Sequence, residues 1–203
     1  MFIITADQID SRHRNDVAGA MLGLLNERYA DRLALPVDRN AGDEIQALIS
    51  DADTALAIIA DLTRTGEWSV GCGAGRVRTP LPAHTREASG PGFVAARTAV
   101  ERAKNAQLRF ALASGSQREA PETEALINLL LVIRSRRTPE GWELFDLVAG
   151  GATQVAAARA LGISPQAASQ RARAAGIRTE LAAIPALSAA LARVDAADHE
   201  QGA

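Results

Sequence analysis

The chain of 203 residues has one cysteine, Cys72, and one lysine, Lys104. A single thiol excludes an intramolecular disulfide and gives no reason to expect an oxidising compartment. Cys72 lies in the apolar run "SVGCGAGRV", where a buried, inert thiol is expected rather than a nucleophile. The sequence has no run of 18 apolar residues and no signal-peptide pattern, so a soluble, cytoplasmic protein without membrane contact is expected. It also lacks an excess of charge: a net charge of −2 excludes a globally basic nucleic-acid binder but leaves local patches open. The histidines, His13, His84 and His199, have no metal-ligand spacing. The near absence of lysine beside many arginines and alanines is read as compositional bias.

An apolar content of 47% is enough for a real core, and the length suits one large domain or two small ones. "FIITA" reads as a strand ending at Asp7. Residues 14–30 then carry Val17, Ala18, Met21, Leu24 and Leu25 at helical spacing. "RLALPV" and "EIQALI" flank a Gly-Asp turn and read as a hairpin. "TALAIIADLTR" is a helix capped by Asp51 or Asp53 and stopped at Gly66. "WSVGCGAGRV" is a strand with Gly71, Gly73 and Gly75 on one face, which a helix must approach closely. "SGPGFVAARTAVERAKNAQ" is that kind of helix, and "LRFALAS" a last strand. The expected order is β-α-β-β-α-β-α-β, a ferredoxin-like sheet with one appended strand.

Beyond Ser114 the pattern turns helical, so the boundary is placed near residues 114–121, between a domain 1–116 and a helical domain 117–203. Glu122–Arg137 ends in the basic "RSRR", suited to a helix C-terminus. Thr138-Pro139 starts the next helix and Gly150-Gly151 ends it. "TQVAAARALGISPQAASQRARAAGI" follows, Thr153 to Ile177. Thr153 caps a helix with Val155, Ala156 and Leu161 facing inward, Gly162 supplies the left-handed turn, and Ile163 fills the angle. Ser164 then caps a second helix with Pro165 at its first position. That second helix presents Gln166, Ser169, Gln170, Arg171 and Arg173. Gln matches an adenine edge and Arg a guanine edge, while Ser and further Arg reach phosphates. Thr153 to Arg178 holds four arginines and no acid, as contact with phosphate requires. The alternative is an ordinary helical hairpin whose arginines are a solvated face. The stretch resembles the helix-turn-helix of bacterial transcription factors, in the style of sigma-factor region 4 and MarR-type motifs. That resemblance implies double-stranded DNA as partner and a homodimer reading paired half-sites.

In the first domain, a ferredoxin-like sheet would bring Asp7 beside Asp43 at the tip of "DRNAGDEIQALI". Two carboxylates there are hard oxygen ligands for Mg²⁺ or Mn²⁺. The bland reading keeps Asp43 as a turn residue, Arg97 as an ion-pair partner of one aspartate, and Glu44 as a surface charge. The layout resembles the class III nucleotide cyclase domain, distantly shared with GGDEF proteins. That resemblance implies Asp7 and Asp43 as metal ligands, and Arg39, Gly42 and Arg97 as candidate nucleotide-binding residues. Phe93 stands four residues before Arg97, where the cyclase pattern has Asn. An apolar ring cannot orient a ribose or phosphate, and Asp10 adds negative charge nearby. The reading therefore leans away from an enzyme and names no catalytic residue. "ITADQIDSR", "AGDEIQAL", "SGPGFVAARTAVERAK" and the helix-turn-helix together resemble the SatD family. The resemblance implies a DNA-binding transcriptional regulator whose cyclase-like domain senses a ligand, such as a nucleotide with Mg²⁺ or Mn²⁺, or mediates dimerisation. The alternative is a divergent metal-dependent cyclase or related phosphoryl-transfer enzyme.

Overall fold

The computed structural model describes residues 1–10, 17–40 and 42–201. Residues 14–16, where the first helix was expected to start, and His13 lie outside these. The chain is mixed α/β and forms two compact units: Met1–Asn128 with the chain from Leu187 on, and Leu129–Ala186.

The first unit holds one five-stranded sheet. Its elements are β1 (Phe2–Gln8), α1 (Ala18–Tyr29), β2 (Leu33–Arg39), β3 (Glu44–Ile49), α2 (Ala52–Arg64), β4 (Trp68–Ala74), α3 (Pro91–Ala103) and β5 (Phe110–Ala113). They follow the order read from the sequence. The strands lie in the order β2-β3-β1-β4-β5. All neighbours are antiparallel except β4 and β5, which run parallel across the α3 crossover. β2 carries Pro36 and its register with β3 shifts twice, as an edge strand permits. α2 is capped by Asp51, whose carboxylate accepts from the Thr54 amide at 2.8 Å.

The glycine face of β4 meets α3, as expected. A Cβ on Gly71 would stand 2.6 Å from Val100 Cα, and one on Gly73 would stand 2.8 Å from Ala96 Cα. Only hydrogen fits, and the helix backbone lies directly on the strand. Ile3, Leu48 and Ala96 form a core cluster on this face, with Phe93 packed against it.

α4 (Glu119–Ser135) and α8 (Ile177–Gln201) each belong partly to both units. The distal half of α8 belongs to the first unit. Ser188 donates to Asp53, Thr123 to the Ala190 carbonyl at 3.5 Å, and the Gly115 amide to Asp198 at 2.8 Å. From sequence, the tail from Thr179 to Asp198 reads as a helix that Pro185 breaks or starts. Pro185 lies inside α8, which runs on through it.

In the second unit, α5 (Pro139–Ala149), α6 (Gln154–Ala160) and α7 (Pro165–Ala174) stand between the end of α4 and the start of α8. Thr138, Thr153 and Ser164 each cap a helix through a side-chain oxygen on the amide three residues on. Gly162 has φ +64°, the left-handed turn between α6 and α7. The core is Leu144, Ala157, Ala172, Ala175 and Ile177, with Leu161 against it. Val155 and Ala156 do not face inward: both are exposed, and Ala157 and Ala158 are buried instead. Ala157 and Leu161 pack with Leu144 of α5 and Ala172 of α7.

"RSRR" is not simply a solvated basic end. Arg134 and Arg137 are buried and both pair with Glu180, which is 2% exposed. The rings of Trp142 and Phe145 lie against both guanidinium groups, at 4.3 Å and 4.4 Å for Arg137.

Candidate functional site

β1 includes Asp7 and ends one residue later, at Gln8. It pairs with Glu44 on β3 and Ser69 on β4. Asp43 stands one position before Glu44, in the turn. The sheet register thus brings the first aspartate to the mouth of the hairpin. Its immediate neighbour there is Glu44.

Each carboxylate has a cation, Arg97 from α3 and Lys104 from the cap just past its end. Asp7 Oδ2 is 3.0 Å from Lys104 Nζ, and Glu44 Oε2 is 2.5 Å from Arg97 Nη1. Glu101 links the two cations, at 3.5 Å from Arg97 and 3.1 Å from Lys104. Burial works against the charge on Lys104, yet hydrogen bonds to Asp7 and Glu101 hold its pKa above the ordinary lysine value. Glu44 is buried and also accepts from Asn40 at 2.6 Å, so it is not a surface charge. Arg97 pairs with Glu44 and Glu101, not with the aspartates named for it. The Arg39 side chain donates to the Gly42 carbonyl and braces its own hairpin. The positive φ of Gly42 permits that turn.

The carboxylates of Asp7 and Glu44 are taken by partners within the chain. The only lysine of the chain occupies the Asp7 carboxylate, and arginine and asparagine occupy Glu44. Among the described residues no group of three or more His, Cys, Asp or Glu side chains can hold a metal. Phe93 serves the apolar cluster under α3. Glu44 and Lys104 had not been read as site residues. The one signal for Lys104 was its being the only lysine.

The second unit gives a different surface. It carries seven arginines and four carboxylates, a net charge of +3 on a chain of net −2. On α7, Gln166, Gln170 and Arg173 are exposed at positions i, i+4 and i+7, while Ala168 and Ala172 are buried on the opposite face. Ser169 is half-buried. Arg171 is held by α5: its guanidinium donates to the Glu140 carbonyl at 3.4 Å and lies 3.6 Å from Glu143. It is therefore the member of the expected contact set least available to a ligand. Arg159, Arg173 and Arg178 are exposed and make no ion pair among the described residues. A cleft of about 250 Å³ is lined by Gln154, Ser169, Arg173, Arg178 and Thr179. Arg178 closes the acid-free stretch, and nothing in the sequence sets it apart from the other arginines there.

Among the described residues no helix is long and apolar enough to cross a membrane. No family model matches the chain, and neither a curated protein nor a solved structure shows significant similarity to it.

Proposed function

We propose that the chain is a DNA-binding transcriptional regulator of the SatD type. In this reading α6 and α7 form a helix-turn-helix, and the sheet unit is a cyclase-like, ferredoxin-like domain that binds a ligand or pairs two copies of the chain. The observation that carries the proposal is the exposed row of Gln166, Gln170 and Arg173 on a capped helix within an acid-free segment. The two amides match base edges, and the exposed arginines on and beside this face supply phosphate contacts. The strand order β2-β3-β1-β4, antiparallel throughout, supports the ferredoxin-like reading of the sheet. Paired half-sites call for a homodimer, because a single unit of this kind binds weakly.

The enzyme reading gains no specific observation. It rests on Asp7, Asp43 and Arg97, and of these Asp7 and Arg97 are occupied by partners within the chain. A sheet domain that keeps the scaffold for sensing or pairing, without turnover, is the reading we adopt.

Fluorescence anisotropy of the full chain on duplex from upstream of its own gene, with scrambled duplex as competitor, tests the proposal. Gln170→Ala should cost about 1–3 kcal/mol on the specific duplex and little on the scrambled one. If the folded chain binds no duplex even at low salt, the proposal is lost. Turnover of a nucleoside triphosphate with Mn²⁺ would instead restore the enzyme reading.

A further inference from the structure

The cleft at the start of α8 is lined by Arg173 and Arg178, with Ser169, Gln154 and Thr179 between them. Every charged lining residue is positive, and every other polar one can donate a hydrogen bond. Neither guanidinium has an ion-pair partner among the described residues, although both are exposed in a chain richer in acids than in bases. The nearest acid along the chain, Glu180, is buried and bound twice over by Arg134 and Arg137. It leaves the positive field of the cleft uncancelled. The acids of α5 are likewise not part of the lining.

Two arginines with short hydroxyl and amide donors, in a half-enclosed space, are suited to a tetrahedral oxyanion. Guanidinium forks match phosphate oxygens in pairs, and hydroxyls satisfy the remaining lone pairs. Base edges are poorly matched, because Arg178 and Thr179 belong to α8 and not to α7. We infer that this cleft is a seat for a single phosphate group, with Arg173 and Arg178 as its two charged ligands.

With DNA bound, that group is a backbone phosphate. This source rests on the DNA reading above, whereas the cleft itself does not. In that case Arg173 leaves base readout to Gln166 and Gln170 and sets the register of α7 on the duplex.

The test uses the full chain, two duplexes of unrelated sequence, and inorganic phosphate as a separate probe. Arg178→Gln is the main variant, Ser169→Ala and Thr179→Val are milder ones, and Arg136→Gln is an exposed control outside the cleft. Arg178→Gln should weaken both duplexes by the same factor and flatten the salt dependence by about one phosphate's worth of slope. Gln170→Ala should change the two duplexes unequally and leave the slope alone. Inorganic phosphate should raise the melting temperature above that in chloride of equal ionic strength, and Arg178→Gln should abolish the rise.

If the wild type binds no duplex but keeps a phosphate effect that needs Arg178, the DNA reading falls and the seat stands for a free phosphate. The seat also stands for a free phosphate if duplex binding ignores Arg178→Gln while the phosphate effect needs it. If duplex binding and its slope ignore Arg178→Gln and phosphate has no Arg178-dependent effect, the seat is overturned and the DNA reading stands. If neither duplex nor phosphate is bound, both fail.

Discussion

Replacing Glu180 by alanine should open the second unit while leaving the sheet intact. Glu180 is 2% exposed and faces two guanidinium groups: Arg137, whose side chain is fully buried, and Arg134, whose side chain is 7% exposed. Arg137 Nη2 stands 2.6 Å from Glu180 Oε2, and Arg137 also donates twice to the Ala175 carbonyl, at 3.0 and 2.9 Å. Arginine stays protonated at any accessible pH, so neither group can escape by losing its charge. Removing the carboxylate takes away the one anion that both buried guanidinium groups are seen to pair with, and leaves two like charges side by side. Breaking a buried pair in this way costs about 3–5 kcal/mol. The contacts with Trp142 and Phe145 are worth about 2 kcal/mol or more for a desolvated cation, but they exist already before the substitution and so offset none of its cost. A unit of this length is ordinarily stable by about 3–9 kcal/mol. The loss therefore takes a large share of its stability or all of it.

Hydrogen exchange read by mass spectrometry on the full chain separates the two units. Protection of peptides from α5, α6 and α7 should fall by about two to four powers of ten, or vanish, while β1 and β4 stay protected. Glu180→Gln keeps an acceptor oxygen and should fall between wild type and alanine. An alanine variant that loses under about 1 kcal/mol would refute the reasoning, since that is the scale of an exposed pair.

Glycine substitutions should split by position. Gly71→Ala forces the α3 backbone off β4 and should cost at the upper end of about 1–3 kcal/mol in urea unfolding. Gly23→Ala, exposed in α1 with nothing within 4 Å, should stabilise by about 0.5–1 kcal/mol. Equal effects would contradict the packing described. Burial pushes the Cys72 thiol up from 9.0 to about 12, so the folded chain holds this proton where the unfolded chain releases it. Stability from this group is present in full below pH 9 and declines as pH rises toward 12, by up to about 1.4 kcal/mol per pH unit. Tyr29, raised for the same first reason of burial, adds a slope of the same sign further up. Melting temperatures of wild type and Cys72→Ala across alkaline pH should converge as pH rises. Parallel curves would count against the buried thiol.

Local signals were legible where a single residue decides the outcome. Thr138, Thr153 and Ser164 announce helix starts, Gly162 a left-handed turn, and the alternating glycines of β4 a close helix. Each depends on neighbours within a few positions or on one missing Cβ. Less legible were the facts settled by partners far along the chain. The pairing of Asp7 with Lys104 spans the whole sheet unit, and the burial of Arg134 depends on a glutamate 46 residues later. Periodicity cannot choose the inward face of α6, because one valine beside a run of three alanines gives too little contrast. Pro185 also misled. A proline removes one helix hydrogen bond, and the long α8 continues past that loss.

The arginines of the second unit show why composition alone overstates a binding surface. Seven are present, but Arg134 and Arg137 are spent on Glu180, and Arg171 lies against Glu143 and the Glu140 carbonyl. In sequence the four arginines from Thr153 to Arg178 look equivalent. The structure separates Arg171, which holds α7 to α5, from Arg159, Arg173 and Arg178, which make no ion pair among the described residues. The same subtraction applies to the sheet unit, where Arg97 and Lys104 balance Glu44, Glu101 and Asp7. A charge already balanced within the chain costs desolvation to redirect toward a ligand, whereas an unpaired one is available at once. On that criterion, phosphate chemistry belongs to Arg173 and Arg178 before it belongs to Arg97.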